Sequence, residues 1–158
     1  MVFHGVFTLP DFVSVLLLRS GGRFCGLPVE HVVETMRPLP TESLGEAPSF
    51  VRGLARIRGE AVPVLDLNRL LGGSEDTVAG RYLSLRVGAR RVALAVEELL
   101  ELRVLDRDLL SSLPPLLSAG AAAVQAVGAL DSSLLLVLQA AKLIPDGDWL
   151  AVEPAPGR

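Results

Sequence analysis

The sequence has little of the chemistry that an enzyme or a disulfide-stabilised domain needs. Its single cysteine, Cys25, excludes an internal disulfide and fits a reducing compartment. The two histidines, His4 and His31, have no neighbouring histidine or cysteine at ligand spacing, which argues against a zinc site. No glycine pair belongs to a P-loop or a dinucleotide-binding fingerprint. We therefore expect no catalysis, no metal and no cofactor.

Long apolar runs and excess basic charge are also missing. The apolar segments 13–18 and 134–138 are too short to cross a bilayer, and no basic segment precedes the first one, so no signal peptide is evident. The net charge of -3 and the isoelectric point of about 5.4 argue against nucleic acid or an anionic membrane as the main partner. We expect a soluble cytoplasmic protein without direct membrane insertion.

Hydrophobic residues, in contrast, are abundant. They make up 50% of the 158 residues, which is enough for a sizeable core in one domain or in two small subdomains. Aromatic residues are only 4%, so the core must consist mainly of leucine, valine and alanine.

The clearest local pattern lies in residues 50–72. Its first half alternates in hydrophobicity around Arg58-Gly59-Glu60, which predicts two strands joined by a tight turn. Its second half changes to helical spacing, with Asp66 placed to cap a short helix and Gly72 placed to end it. Asp66 is also a candidate catalytic acid, but its position suits a helix cap far better.

Three further pairs of strands are predicted, and the pattern repeats. Residues 53–71 overlay residues 126–144 without a gap, and residues 27–34 overlay residues 94–101. The repeat indicates two small β-barrels related by a pseudo-two-fold axis, with a groove between them. Chance matching in a chain rich in leucine and valine is the alternative. The predicted hairpins span residues 13–27, 82–96 and 124–138.

The most suggestive charged cluster is Arg52, Arg56 and Arg58. Arg56 and Arg58 are two residues apart, so both can project from one face of a strand or its turn. The cluster is either a solvated face or a docking patch, since arginine is favoured at protein interfaces. Cys25 lies in a predicted strand and is expected to be a buried thiol rather than a nucleophile.

Several of these residues together resemble the signature of the CheW family of chemotaxis coupling proteins. The resemblance rests on Phe50-Val51-x-Gly53, Ile57-Arg58-Gly59 and Val62-Pro63-Val64-x-Asp66-Leu67. It implies a mainly β fold of two intertwined, SH3-like, five-stranded barrels with short helices. It also implies an N-terminal arm at residues 1–11, a CheW-like domain at residues 12–144 and a C-terminal tail at residues 145–158.

The resemblance also implies a function. Members of the family are non-catalytic adaptors that join the cytoplasmic tips of chemoreceptors to the regulatory domain of a CheA-type histidine kinase, in receptor arrays. Carried over residue by residue, the receptor-facing groove would include Val32, Gly53 and Arg58. Glu34 would lie near the kinase-facing surface.

The chain departs from the family pattern at several positions. An asparagine is usual where Arg56 stands, a glycine where Ala126 stands, and aspartate is commoner than Glu97 and Gln139. These changes leave open a divergent coupling protein that binds receptor but not kinase, in a gliding or pilus motility pathway. A small ligand-binding barrel or an enzyme that uses the groove is the remaining alternative.

Overall fold

The computed structural model describes residues 11–74, 76–112, 123–144 and 148–152. Within these residues the chain forms ten strands, two short α-helices and single turns of 3-10 helix. The strands are β1 (Phe12–Ser20), β2 (Arg23–Pro28), β3 (Val32–Met36), β4 (Val51–Ile57), β5 (Glu60–Asp66), β6 (Arg81–Val87), β7 (Arg90–Val96), β8 (Glu98–Asp106), β9 (Val124–Leu130) and β10 (Ser133–Leu138). The helices are α1 (Leu67–Leu70) and α2 (Trp149–Val152), and the 3-10 turns are Val29–His31, Arg107–Leu109 and Ala140–Lys142.

The strands form two five-stranded sheets. Sheet A has the order β3-β6-β7-β5-β4, and sheet B has the order β8-β1-β2-β10-β9. The two orders correspond strand by strand, because β3, β6, β7, β5 and β4 of sheet A are five places from β8, β1, β2, β10 and β9 of sheet B in the chain. Each sheet therefore takes strands from both halves of the chain. The expected mainly β fold of two five-stranded units is confirmed.

The registers of the two sheets show that the repeat is structural and not a chance match. The pairing of β1 with β2 has the same register as that of β6 with β7. Both sheets carry two bulges, and these fall at equivalent places; the extra residues are Val33 in β3, Leu100 in β8, Arg52 in β4 and Gln125 in β9. Equivalent bulges twist both sheets alike, so the halves are related by a pseudo-two-fold axis.

Three apolar clusters hold the sheets together. The largest lies between them, contains Leu16, Leu83 and Leu94 from their facing sides, and also takes in Cys25. Each sheet then packs a smaller cluster on its other face, around Tyr82 in sheet A and Leu135 in sheet B. Leucine and valine dominate, as the scarcity of aromatic residues requires.

The stretch from β4 to α1 folds as the sequence predicts. Arg58 and Gly59 have φ values of 52° and 81°, as a two-residue hairpin turn requires at both central positions. The Asp66 Oδ1 atom accepts a hydrogen bond of 3.1 Å from the backbone N–H of Arg69, so Asp66 caps α1. Gly72 follows the helix with a φ of 88°.

Part of the segment expected to be a tail belongs to the shared core. Trp149 and Val152 of α2 are both buried in the cluster between the sheets. Except for Asp11, the expected N-terminal arm lies outside the described residues. The boundaries of the arm, domain and tail remain predictions.

Candidate functional site

A groove of about 430 Å³ runs along the seam between the two sheets, and we call it the seam groove. It lies between β3 and β8, the equivalent edge strands of sheets A and B. Four of its seven lining residues are leucines, and the other three are one threonine and one residue of each charge sign. Its lining residues are Leu16, Thr35, Arg81, Leu99, Leu100, Glu101 and Leu102.

Strand β8 displays an apolar stripe at this groove. Leu100, Leu102 and Val104 are 42%, 50% and 61% exposed, whereas Leu99 packs against the shared core. The bulge at Leu100 changes the alternation, so Leu102 beyond it is uncovered, whereas Leu105 packs against the smaller cluster of sheet B. Exposed apolar surface that continues into a groove is typical of a protein-binding site.

Val32, assigned to the receptor-facing groove, lies beneath the surface. It is buried in the shared core, where β3 pairs it with Leu85 of β6. Thr35, farther along β3, is the residue of that strand that lines the groove. Val32 thus supports the wall of the groove from inside.

The sequence analysis did not select the β8 side of the groove. A signal for it was present in the repeat, because residues 27–34 overlay residues 94–101. Under this overlay Leu99 is the equivalent of Val32, and Leu99 lines the groove. Assigning Val32 to the site therefore pointed to β8 as well.

Gly53, also assigned to the receptor-facing groove, is buried in β4. Its φ of 143° follows the bulge at Arg52. A Cβ atom at this position would lie 2.3 Å from the carbonyl oxygen of Glu42, which bridges to Leu54 of the same strand. Glycine is therefore needed so that the preceding loop can pair with β4.

Arg58 and Glu34, which the sequence analysis assigned to two different partners, form one ion pair. The Arg58 Nε and Nη2 atoms donate hydrogen bonds of 2.9 and 2.7 Å to the two carboxylate oxygens of Glu34. These hydrogen bonds hold the pKa of the Glu34 carboxyl below its usual value. Because Arg58 is in the β4–β5 turn and Glu34 is in β3, the pair links opposite edges of sheet A.

The three clustered arginines have separate roles. Arg52 donates to Asp66 at 2.9 Å and to the carbonyl oxygen of Thr77 at 2.7 Å, and so helps to hold the start of α1. Arg58 pairs with Glu34 but remains 66% exposed in its side chain. Arg56 is exposed and has no ion pair within the described ranges. Because Arg52 is bound to Asp66 and Thr77, the three do not act alike, and a docking patch formed by all three stays a prediction.

Reactive groups are scarce in the described part of the chain. Burial raises the pKa of the Cys25 thiol to about 12, so the thiolate nucleophile is not available near neutral pH. Among the described residues, no three histidine, cysteine or acidic side chains cluster closely enough to hold a metal ion. None of the described helices has the length and hydropathy needed to span a membrane.

Comparison with known proteins identifies relatives of this chain. A family model for the CheW-like domain matches residues 14–148. Protein FrzA of Myxococcus xanthus is 35% identical over 117 residues, which cover 73% of this chain and 72% of FrzA. The crystal structure of scaffolding protein TtCheW from Thermoanaerobacter tengcongensis matches with a TM-score of 0.72 and 19% identity, over 80% of this chain and 88% of that chain. The match to TtCheW supports the SH3-like, two-unit fold.

Proposed function

This chain belongs to the CheW-like domain family, and from that premise we propose that it is a non-catalytic scaffold coupling chemoreceptors to a CheA-type histidine kinase. The receptor would bind through its cytoplasmic tip, and the kinase through its regulatory domain. Such a scaffold would work in the cytoplasm, recruited to receptor arrays. Individual contacts can then be weak, because many linked copies supply avidity.

The seam groove is the observation that carries this proposal. An amphipathic helix presents apolar residues every three or four positions, and a groove lined by leucines can receive that face. Arg81 and Glu101 lie among the leucines and can pair with charged residues that flank the helix stripe. A receptor tip built from such helices would place its apolar stripe against these leucines.

The residues assigned from the family pattern take different parts in this proposal. Val32 maintains the groove wall, and Gly53 allows the preceding loop to pair with β4. Arg58 is exposed and would contact the receptor directly. Glu34 orients Arg58 and would face the kinase, so a substitution at Glu34 is expected to change binding of both partners.

A titration with a purified receptor cytoplasmic tip tests the groove. We expect Leu102→Glu to weaken binding at least about tenfold, because a charge would enter the apolar contact. Leu109→Glu is the matched control, since Leu109 is 77% exposed and lies outside the groove lining. Equal affinities for the two variants would reject the groove as the receptor site.

The kinase contact needs its own measurement. Titration with the regulatory domain of the cognate kinase is expected to show binding that Glu34→Ala weakens and Leu109→Glu does not. Binding of the receptor tip without binding of the regulatory domain would identify a coupling protein that serves only the receptor.

A further inference from the structure

A second concavity, of about 330 Å³, lies at the end of sheet A that carries the β4–β5 turn, close to the Arg58–Glu34 pair. It is formed by the start of β5, the β6–β7 turn and α2. We call it the arginine concavity. The lining residues that matter here are Glu60, Pro63, Arg86, Arg90, Arg91 and Trp149.

The positive charge of Arg86 and Arg91 in the arginine concavity is only partly balanced by described residues. Arg86 and Arg91 stand directly opposite each other on β6 and β7, an arrangement of like charges that destabilises a sheet. Arg91 donates to Glu60 at 3.2 Å and to the Ser84 hydroxyl at 3.0 Å, and its buried Nε atom has no acceptor. Arg86 has no ion pair with any described residue. Among the described lining residues there are three guanidinium groups and one carboxylate.

Apolar surface lies beside these charges. The Arg90 guanidinium sits 4.2 Å from the centre of the Trp149 ring, a cation–π contact that holds this side chain in place. Trp149 and Pro63 are buried residues that supply an apolar wall. The concavity can therefore receive a chain that carries both carboxylates and apolar atoms.

The pseudo-two-fold axis provides an internal comparison. An equivalent concavity of about 360 Å³ lies at the matching end of sheet B. There Phe24 replaces Arg91, Ser133 replaces Glu60 and Leu136 replaces Pro63. Arg23 keeps the place of Arg90, whereas the apolar Phe24 stands where Arg91 does. The fold therefore does not need an arginine at the position of Arg91 to build this concavity.

We propose that the arginine concavity binds an acidic segment of a partner polypeptide. Arg86 and Arg91 would bind its carboxylates, and its aliphatic atoms would lie against Trp149. The site and the acidic segment are complementary in charge. The site is locally basic although the protein as a whole carries a net charge of -3. A free phosphate would satisfy the arginines but would leave the apolar wall unused. The inference does not depend on the seam groove binding a receptor.

The test is a titration of the whole 158-residue chain with a hexaglutamate peptide at low salt, with tryptophan fluorescence as the readout. Trp149 is the only tryptophan of the chain, so its emission reports on this site. We expect saturable binding that weakens as salt is added. Arg86→Glu should weaken it at least about tenfold, while Arg107→Glu, an equal charge change in the exposed turn after β8, should leave it unchanged.

Three results would overturn the proposal. One is the absence of hexaglutamate binding by a folded protein, and another is an equal loss in both variants, which would indicate attraction by net charge alone. The third is tighter binding of inorganic pyrophosphate, or of vesicles containing phosphatidylserine, than of the peptide. Because Arg86 is exposed, the melting temperature of Arg86→Glu should match that of the wild type, which shows that binding and not folding has changed. Arg86→Glu should bind the receptor tip as the wild type does. A loss of hexaglutamate binding alone then concerns the arginine concavity and not the seam groove.

Discussion

Arg58 is constrained at both its backbone and its side chain. Its φ of 52° is uncommon for a residue with a side chain, and the following Gly59 completes the turn. Its guanidinium is held by both carboxylate oxygens of Glu34. The two constraints fix where the charge of Arg58 is displayed, which is the requirement for a specific contact with a partner.

The Arg58–Glu34 pair should make stability depend on pH. The pKa of Glu34 is lowered in the folded state, so its contribution is present above the unfolded value of about 4.3 and is lost as pH falls through the lower, folded value. We expect wild type to melt higher than Glu34→Gln at pH 7, and this difference to shrink towards pH 3. A difference that stays constant across this range would contradict the assignment.

Gly53 offers a test of backbone strain. Gly53→Ala should destabilise the fold by roughly 1–3 kcal/mol, because the added Cβ meets the Glu42 carbonyl at an unfavourable φ. The control is Ala126→Gly at the equivalent position of β9, which should cost about 1 kcal/mol or less. Urea denaturation measures both. Similar losses of stability for Gly53→Ala and Ala126→Gly would mean that the nearby Glu42 carbonyl does not require glycine at position 53.

At the scale of elements, β5 and α1 meet at Asp66, which has two functions. One oxygen caps the helix and the other accepts from Arg52. Asp66→Ala should therefore cost roughly 1–3 kcal/mol, because it removes the cap and leaves Arg52 without its carboxylate.

Asp66→Asn separates the two functions of this side chain. Asparagine is a good helix cap, but it carries no charge for Arg52. We expect its free energy of unfolding, measured by urea denaturation, to lie between those of wild type and Asp66→Ala. A loss as large as that of Asp66→Ala would assign the whole effect to the ion pair.

Strand β8 shows a feature that the sequence pattern could not predict, namely which of its leucines are exposed. Strand β8 spans Glu98–Asp106, directly after the predicted hairpin of residues 82–96. Its leucines occur on both sides of the strand, so alternation cannot tell which of them are covered. Only the position of the shared core shows that Leu99 is packed and that Leu102 is exposed.

For the whole molecule, the exchange of strands predicts cooperative unfolding. Each sheet contains strands from both halves of the chain, so neither sheet can form without the other half. We expect the fluorescence of Trp149, near β7 of sheet A, and the labelling of Cys25, in β2 of sheet B, to report the same urea midpoint.

Each of these probes is the only residue of its type, so no background substitution is needed. A Cys25 thiol that reacts at a lower urea concentration than the Trp149 transition would contradict a single unfolding unit. It would mean that β2 can open while the surroundings of Trp149 remain folded.

The sequence alone determined the local elements and their equivalence. The β4–β5 turn, the Asp66 cap and the repeat depend on residues close together in the chain, and their patterns are visible without coordinates. The division of ten strands between two sheets depends on contacts between distant segments, and the seam groove exists only after that division is made. The pairing of Arg58 with Glu34 is decided in the same way, because closing sheet A brings together two residues that lie on different strands. Local pattern thus identifies the parts, and tertiary packing decides which side chains share a surface.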